Sequence, residues 1–386
     1  MPRELTTQEI LAQLVSFPTV SCESNLALVD WVEGYLAQWG ISSRRVYDAQ
    51  GTKANLYAVI GPQTEGGIAL SGHTDVVPVE GQDWNSDPFT LTERDGRLYG
   101  RGAVDMKGYL ALMLHLAPQA ARARLSRPLY LAFSYDEEVG CTGCVDMVEE
   151  MARTLPRPAA TFVGEPSGMK VVTGHKGSSA FRIRVTGHPV HSSLMHTGVS
   201  AIMEGARLIE WANRMNASNR AATPLPVDAP FVPPWTTVHV GTIAGGTANN
   251  ITAGECVFSL DFRVVPGERI ADWEDRMMAE IAVIEQGMKA VAATSGIAVE
   301  RKFLVPPLAP EPDGVAEGIA KRLARRNGAD VVSYGTEAGH FQRAGWSTVV
   351  CGPGDIARAH KPDEYVELKE IREGEVFMAR LLEELA

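Results

Sequence analysis

Short apolar runs with strand character, Asn55 to Ile60, Ile68 to Leu70, Leu129 to Phe133 and Thr161 to Val163, alternate with helical patterns such as Gly108 to Leu116. This alternation commits the chain to an α/β layer fold, in which ligands gather in the crevice beyond the carboxyl ends of the strands. Ahead of it, Thr6-x-x-Glu9 followed by Ile10, Leu11, Leu14 and Val15 predicts a capping box opening an amphipathic helix. Near Ser178 the texture changes. Ser179 to Thr186, Thr236 to Ile243, Glu255 to Val264 and Val299 to Val305 read as strands, and Ala201 to Ala212 and Ala271 to Ala293 as helices. That β-α-β-β-α-β order fits a two-layer α+β insert of the ferredoxin-like, split βαβ kind. Pro306, Pro307, Pro310 and Pro312 mark the exit from the insert, and a last helix is expected from Leu368 to Leu385. The expected organisation is a three-layer α/β/α domain, residues 1–177 and 306–386, interrupted by an α+β domain at 178–305.

The length of 386 residues suits about two to three domains. With 45% apolar and 22% charged residues, the chain is neither disordered nor collagen-like nor a coiled coil. A net charge of −11 argues against nucleic-acid or anionic-membrane partners. There is no apolar run of about 18 residues, and the first residues lack the layout of a signal peptide, so the expected address is the cytoplasm. Five cysteines, Cys22, Cys141, Cys144, Cys256 and Cys351, make an odd, sparse set suited to reduced thiols. Cys141-Thr-Gly-Cys144 has the gap of a zinc knuckle or redox motif, but no second such pair exists, and the expectation is a structural role.

The chemistry-bearing residues stand after the strands. His73 and Asp75, two apart at a strand end, point the same way, so Asp75 could hold the second ring nitrogen of a ligating His73; a hydrogen-bonded loop histidine is the alternative. Asp105 lies in a glycine-rich loop before a helix, where an N-cap would equally account for it. Asp136, Glu137 and Glu138 follow a buried strand, a costly run of acids unless water or cations compensate. Glu165 follows the next strand, and His360 lies near the C-terminus. Together, His73, Asp105, Glu138, Glu165 and His360 are five candidate ligands, more than the three protein ligands of a one-zinc catalytic site. Two zinc ions would be balanced by three carboxylates and one hydroxide, which favours a pair about 3.5–4 Å apart sharing one carboxylate and a water.

Ser71-Gly-His-Thr-Asp-Val-Val-Pro78, Gly100-Arg-Gly-Ala-Val-Asp-Met-Lys-Gly108, Asp136-Glu-Glu-Val-Gly140, Gly164-Glu-Pro166 and His360-Lys-Pro-Asp363 resemble the motifs of the dinuclear zinc amidohydrolases, over nearly the whole chain. Val79 to Phe89, Gly335 to Gly345 and Val349 to Gly354 resemble the acetylornithine deacetylase branch of that family. The resemblance implies that Asp105 bridges two divalent ions, zinc first, with cobalt or manganese as the other options. His73 and Glu165 would complete one site, Glu138 and His360 the other, and Asp75 would orient His73. It implies a cis peptide after Asp105. It also implies that Glu137 is the base that takes a proton from a metal-bridging water and returns it to the leaving amine.

In the insert, Gly187-His-Pro-Val-His191-Ser-Ser-Leu-Met-His196-Thr-Gly198 resembles a lid motif in which His191 stabilises the oxyanion from a neighbouring subunit. Met195 stands where that motif often has proline. Asn250 and Arg263 match lid positions that contact substrate. Arg263 could clamp a carboxylate or pair instead with Asp261 or Glu255. Glu337 is a candidate partner for a substrate ammonium group, with a structural loop role as its alternative. The implied function is removal of acetyl from N2-acetyl-L-ornithine by a cytoplasmic homodimer, the insert serving as lid and dimerisation domain. Desuccinylase, general aminoacylase and dipeptidase are the enzymatic alternatives. A metal-free binding protein is disfavoured by Glu137 and all five ligands being present. A thiol redox enzyme built on Cys141 and Cys144 would lose activity on thiol blockade alone.

Overall fold

The computed structural model describes residues 2–21 and 23–386; Cys22, one of the five cysteines, lies outside them. The chain forms two compact units. One runs to Gly174 and takes in Pro310–Val331 and Thr336–Ala386; the other comprises His175–Ala309 and Val332–Gly335. The return of residues 332–335 to the second unit has no signal in the hydropathy pattern. It follows from a contact, the hydroxyl of Ser333 donating to the Val232 carbonyl at 2.6 Å.

The first unit is built on an eight-stranded sheet in the order Ser43–Tyr47, Ala54–Ile60, Leu129–Ser134, Ile68–His73, Ala160–Pro166, Thr348–Gly352, Val172–His175, Asp330–Val332. The four strands from Leu129–Ser134 to Thr348–Gly352 are parallel, and antiparallel strands flank them. Burial on both faces explains why the parallel strands read as unbroken apolar runs. Helices Thr7–Val15, Leu26–Gln38, Gly108–Arg122, Val315–Ala324 and Leu368–Leu385 pack together in one layer, and Cys144–Thr154 packs with Ala338–Arg343 in another. The result is a three-layer α/β/α fold. Thr6 and Glu9 form the expected capping box. Leu26–Gln38 and Cys144–Thr154 are further helices, the second burying Cys144, Met147, Val148 and Met151 on one face; neither has a side-chain cap among the described residues.

In the second unit, Thr237–His239, Glu255–Val264, Gly177–Thr186 and Gly296–Val305 lie side by side in that order, all antiparallel. This is the strand order of a ferredoxin-like split βαβ layer. Phe181, Ile183 and Val185 alternate toward the helices Ala201–Ala221 and Ile270–Val291, burying Leu208, Trp211, Trp273 and Met277 against Phe258, Leu260 and Phe262. The strand expected over Thr236 to Ile243 is divided: Thr237–His239 and Ile243–Gly245 both pair with Glu255–Val264, at different registers. Between them Ser259 supplies a side-chain bond to the Thr242 N–H. No helix among the described residues is long and apolar enough to cross a membrane.

Candidate active site

Three consecutive parallel strands, Leu129–Ser134, Ile68–His73 and Ala160–Pro166, end at one edge of the sheet and deliver acidic or imidazole side chains there. His73 closes its strand, fully buried. Its Nδ1 sits 2.9 Å from the backbone carbonyl of Asp75, and the Asp75 carboxylate is farther away at 3.6 Å. The carbonyl is therefore the closer orienting partner of the ring. The Asp75 carboxylate has other work. It accepts the Ser21 hydroxyl at 2.7 Å and the backbone N–H groups of Glu137 and Glu138 at 3.1 and 3.3 Å, so it fixes the acidic loop. That loop turns at Asp136, whose left-handed φ of 55° is held by the Lys53 ammonium at 2.5 Å.

Asp105 is not a helix cap. Its φ of −125° and ψ of 93° are non-helical, the following helix begins at Gly108 with Lys107 at its cap position, and the Asp105–Met106 peptide is cis. Gly102, at φ 81°, lets the loop fold back to this point. Glu165 follows Gly164, where the Tyr109 ring lies so close that an added Cβ would fall 2.0 Å from it.

The decisive distances run from the two oxygens of Asp105. Oδ1 lies 3.2 Å from His73 Nε2, and Oδ2 lies 3.2 Å from His360 Nε2. Glu165 Oε1 is 3.8 Å from His73 Nε2, and Glu138 Oε2 is 3.0 Å from His360 Nε2. One carboxylate thus faces two imidazoles, each with a further acid beside it. Two groups of possible ligand atoms overlap at His73, one with Asp105 and Glu138 and one with Glu137 and Glu165, and His360 joins through its contacts with Asp105 and Glu138. Adjacent residues diverge: Glu138 turns to His360, whereas Glu137 joins His73 and Glu165 in a group whose ligand atoms lie within 4.8 Å of one another.

Burial pushes the Glu137 carboxyl up to about 8, and the charge of Glu138 adds to it. Burial likewise raises Glu165 well above the carboxylate range, with Asp105 and Glu137 contributing. Burial also acts on Asp105, but the hydrogen bonds from His360 and His73 outweigh it and hold Asp105 below its ordinary value. His360 is lifted to about 10 by its bonds to Asp105 and Glu138. The donor set suits divalent ions of borderline hardness: imidazole nitrogen plus carboxylate oxygen. Glu165 Oε1 is buried with no hydrogen-bond partner among the described residues, a position that a cation would fill.

Glu337 does not fit the expected ammonium contact. It is fully buried, and its two oxygens accept the hydroxyls of Ser71 and Ser134, each at 2.6 Å. A carboxylate so enclosed has no exposed oxygen left for substrate. It anchors the strand that carries His73 and the strand that leads into the Asp136 loop instead. Cys141, expected to be structural, lies with its Sγ 3.1 Å from Glu137 Oε1, and burial holds its thiol protonated as a donor. Its position four residues after Glu137 is the one signal the sequence offers for this contact.

His191, Asn250 and Arg263 belong to the second unit. His191 is exposed and accepts the Ser193 N–H at 3.3 Å, opening the turn Ser192–Thr197. Asn250 is exposed, and its backbone carbonyl accepts from Ser192 N–H at 2.8 Å. Arg263 sits 3.6 Å from Asp261, the ion-pair alternative, while Glu255 pairs with Arg184.

The profile of peptidase family M20/M25/M40 matches residues 69–384. Acetylornithine deacetylase of Myxococcus xanthus is 35% identical over 384 residues, covering 96% of this chain and 95% of that one. The chain belongs to the M20 family. Acetylornithine deacetylase of Proteus mirabilis is 32% identical, covering 97% of this chain and 95% of its own. Among solved structures, the M20 metallo-carboxypeptidase Sso-CP2 of Sulfolobus solfataricus superposes with a TM-score of 0.76 at 18% identity, over 99% of both chains. Human carnosine dipeptidase 1 gives 0.74 at 17%, over 98% of this chain and 96% of that one. The YXEP protein of Bacillus subtilis, described as a dinuclear metal-binding M20 peptidase, gives 0.63 at 15%, over 98% and 97%. At these identities the structures speak to the fold. As an M20 member the chain is a metal-dependent amide hydrolase.

Proposed function

We propose that this M20 enzyme removes the acetyl group from N2-acetyl-L-ornithine, releasing acetate and ornithine, with two divalent ions, zinc foremost. The observation that carries the two-ion reading is Asp105, whose oxygens face His73 and His360 at 3.2 Å each. The substrate follows from the similarity to the deacetylases of M. xanthus and P. mirabilis. His73, Glu165 and Asp105 would hold one ion, and His360, Glu138 and Asp105 the other. Ions bound there would polarise the amide carbonyl and acidify the attacking water. Glu137 accepts that water's proton and hands it to the departing nitrogen, one carboxylate acting as base and then as acid. Assay of purified enzyme on acetylornithine, acetylmethionine and succinyl-diaminopimelate tests the substrate. A preference for acetylmethionine or succinyl-diaminopimelate of about tenfold or more in kcat/KM would replace the acetylornithine reading with the aminoacylase or desuccinylase one.

Cys141 supports Glu137 in this scheme. Cys141→Ala should lower kcat about three- to tenfold, in keeping with one lost neutral hydrogen bond, and leave KM little changed; Cys141→Ser should recover most of it. Equal kcat in the alanine variant and the wild type would remove Cys141 from the mechanism. The contact also means that thiol blockade would slow a hydrolase, so it does not separate a hydrolase from a redox enzyme.

We further propose a cytoplasmic homodimer formed through the second unit, which also serves as the lid. Leu194, Met195, Ile202, Met203, Ile243 and Ile251 are exposed there, around the loop that carries His191, and a self-complementary patch is what a two-fold interface needs. The described cysteines are free thiols, in keeping with a reducing compartment. His191 would then reach its neighbour's substrate as an oxyanion donor, with Asn250 and Arg263 contacting substrate polar groups. His191→Ala should lose about 10²–10³ in kcat. Coexpressed with Glu137→Ala, it should regain about a quarter of wild-type turnover through mixed dimers. No recovery from the mixture would place His191 in cis or outside the reaction.

A further inference from the structure

Two features of the first unit play no part in the chemistry proposed so far. They are the segment Val79 to Phe89 and a buried ion pair between Arg101 and Glu364, and both converge on His360. Among the five candidate ligands His360 is the exception, with 51% of its side chain exposed and 7% or less for the other four. It stands on a loop with a left-handed φ of 61°, so neither burial nor its own backbone preference fixes it.

What does fix it is a set of contacts among three loops. The strand after His360, Tyr365–Glu367, pairs with Arg97–Tyr99, the strand before the Asp105 loop. Just outside that pairing, the Arg101 guanidinium meets Glu364 Oε2 at 2.6 Å, both side chains 1% exposed. Glu364 Oε1 accepts the backbone N–H groups of Val104 and Asp105 at 3.0 and 3.2 Å. The second Arg101 nitrogen donates to Gln82 Oε1 at 2.6 Å, and the guanidinium stacks 5.1 Å from the Trp84 ring centroid. Asp363 accepts the Asn85 N–H at 2.9 Å and its side-chain amide as well. The loop bearing His360 is thereby bolted to the loop bearing Asp105, with Val79 to Phe89 as the third plate.

We propose that Arg101, Glu364 and Gln82 are positioning residues, a latch that sets the affinity of the ion site formed by His360 and Glu138 more strongly than that of the His73–Glu165 site. The inference rests on the two-ion reading of the pocket. Partners of this kind, outside the ligands themselves, commonly govern about 10–100-fold in metal affinity. Here the effect should be unequal, because of the first site's ligands only Asp105, shared by both sites, touches the latch, whereas His73 and Glu165 are held by the sheet and by Gly164.

The test is cobalt(II) titration of the metal-free protein, followed by visible absorption with a competing chelator. Wild type should take up two equivalents. In Arg101→Met the second equivalent should bind about 10–100-fold more weakly with the first weakened clearly less, and saturating cobalt should restore kcat. Arg101→Lys, able to reach Glu364 but not Gln82 as well, should fall between. Because removing one partner of a buried ion pair can unfold a protein, Gln82→Ala combined with Asn85→Ala on the exposed rim serves as the second variant, expected to weaken the same equivalent. Two equivalents bound as in wild type, or both weakened alike, would overturn the latch. Wild type binding fewer than two ions would overturn the two-ion reading itself, a different result.

Discussion

Glu137→Ala should cut kcat by about 10³–10⁴ while the protein still holds its full complement of metal. The size follows from the double duty of one carboxyl group. General acid–base assistance contributes about 10²–10⁴ to a rate, and a residue that serves in both proton transfers belongs at the upper end. The retention of metal follows from geometry. Glu138 is turned to His360 at 3.0 Å, and the loop backbone is pinned by Asp75 through N–H groups that alanine keeps. Truncation at position 137 therefore removes the proton carrier and leaves the candidate ligands in place. Glu137→Gln should be as inactive, since an amide cannot accept the proton. Glu137→Asp, one methylene shorter, should keep a small fraction of activity. Metal content by atomic emission and kcat from a stopped assay decide it: an alanine variant within tenfold of wild type would sink the role, and one stripped of metal would make Glu137 a ligand.

What is legible in the sequence is whatever local chemistry and periodicity carry. Ile68 to Leu70 and Leu129 to Phe133 announce buried parallel strands because apolar residues predominate between two helical layers. The ligands are legible jointly, since each follows a strand or a motif of its own and only the sheet brings them together. Periodicity cannot tell that Asp105 is no cap, because an acid before a helix looks the same in either role; the resemblance has to supply the bridge. Glu337 misleads for the opposite reason. Its partners Ser71 and Ser134 lie 266 and 203 residues away, and no local pattern announces a contact of that range. Proximity in sequence assigns Asp75 to His73, but its carboxylate binds the backbone of Glu137 and Glu138, a pairing across 62 and 63 residues. Contacts of this kind decide how the ligands are held, and they are the part of a site that sequence order hides.

Chelation should abolish activity outright and destabilise one unit of the protein without the other. Every candidate ligand, Glu137 and Asp75 belong to the first unit, whose pocket gathers the carboxylates of Asp105, Glu137, Glu138 and Glu165 around two imidazoles. Removing cations from among like charges leaves their repulsion uncompensated, and Glu165 Oε1 has no hydrogen bond among the described residues to fall back on. A ligand present at about 100 times its Kd stabilises the state that binds it by about 2.7 kcal/mol, so two ions contribute about 5 kcal/mol. For a unit of this size, each kcal/mol moves the melting midpoint by about 2–4 °C. The second unit has its own core around Phe262, Trp211 and Trp273 and none of the ligands. Calorimetry before and after treatment with dipicolinate should therefore lower the melting of the first unit by about 10–20 °C and leave the transition of the second where it was. Zinc, cobalt and manganese added back in turn should restore activity and midpoint together, and their order ranks the ions. Turnover persisting at less than about a tenth of an ion per chain would remove metal from the reaction. A fall of both transitions by the same amount would mean that the units do not melt independently, and stability could then no longer be assigned to the ion pocket alone.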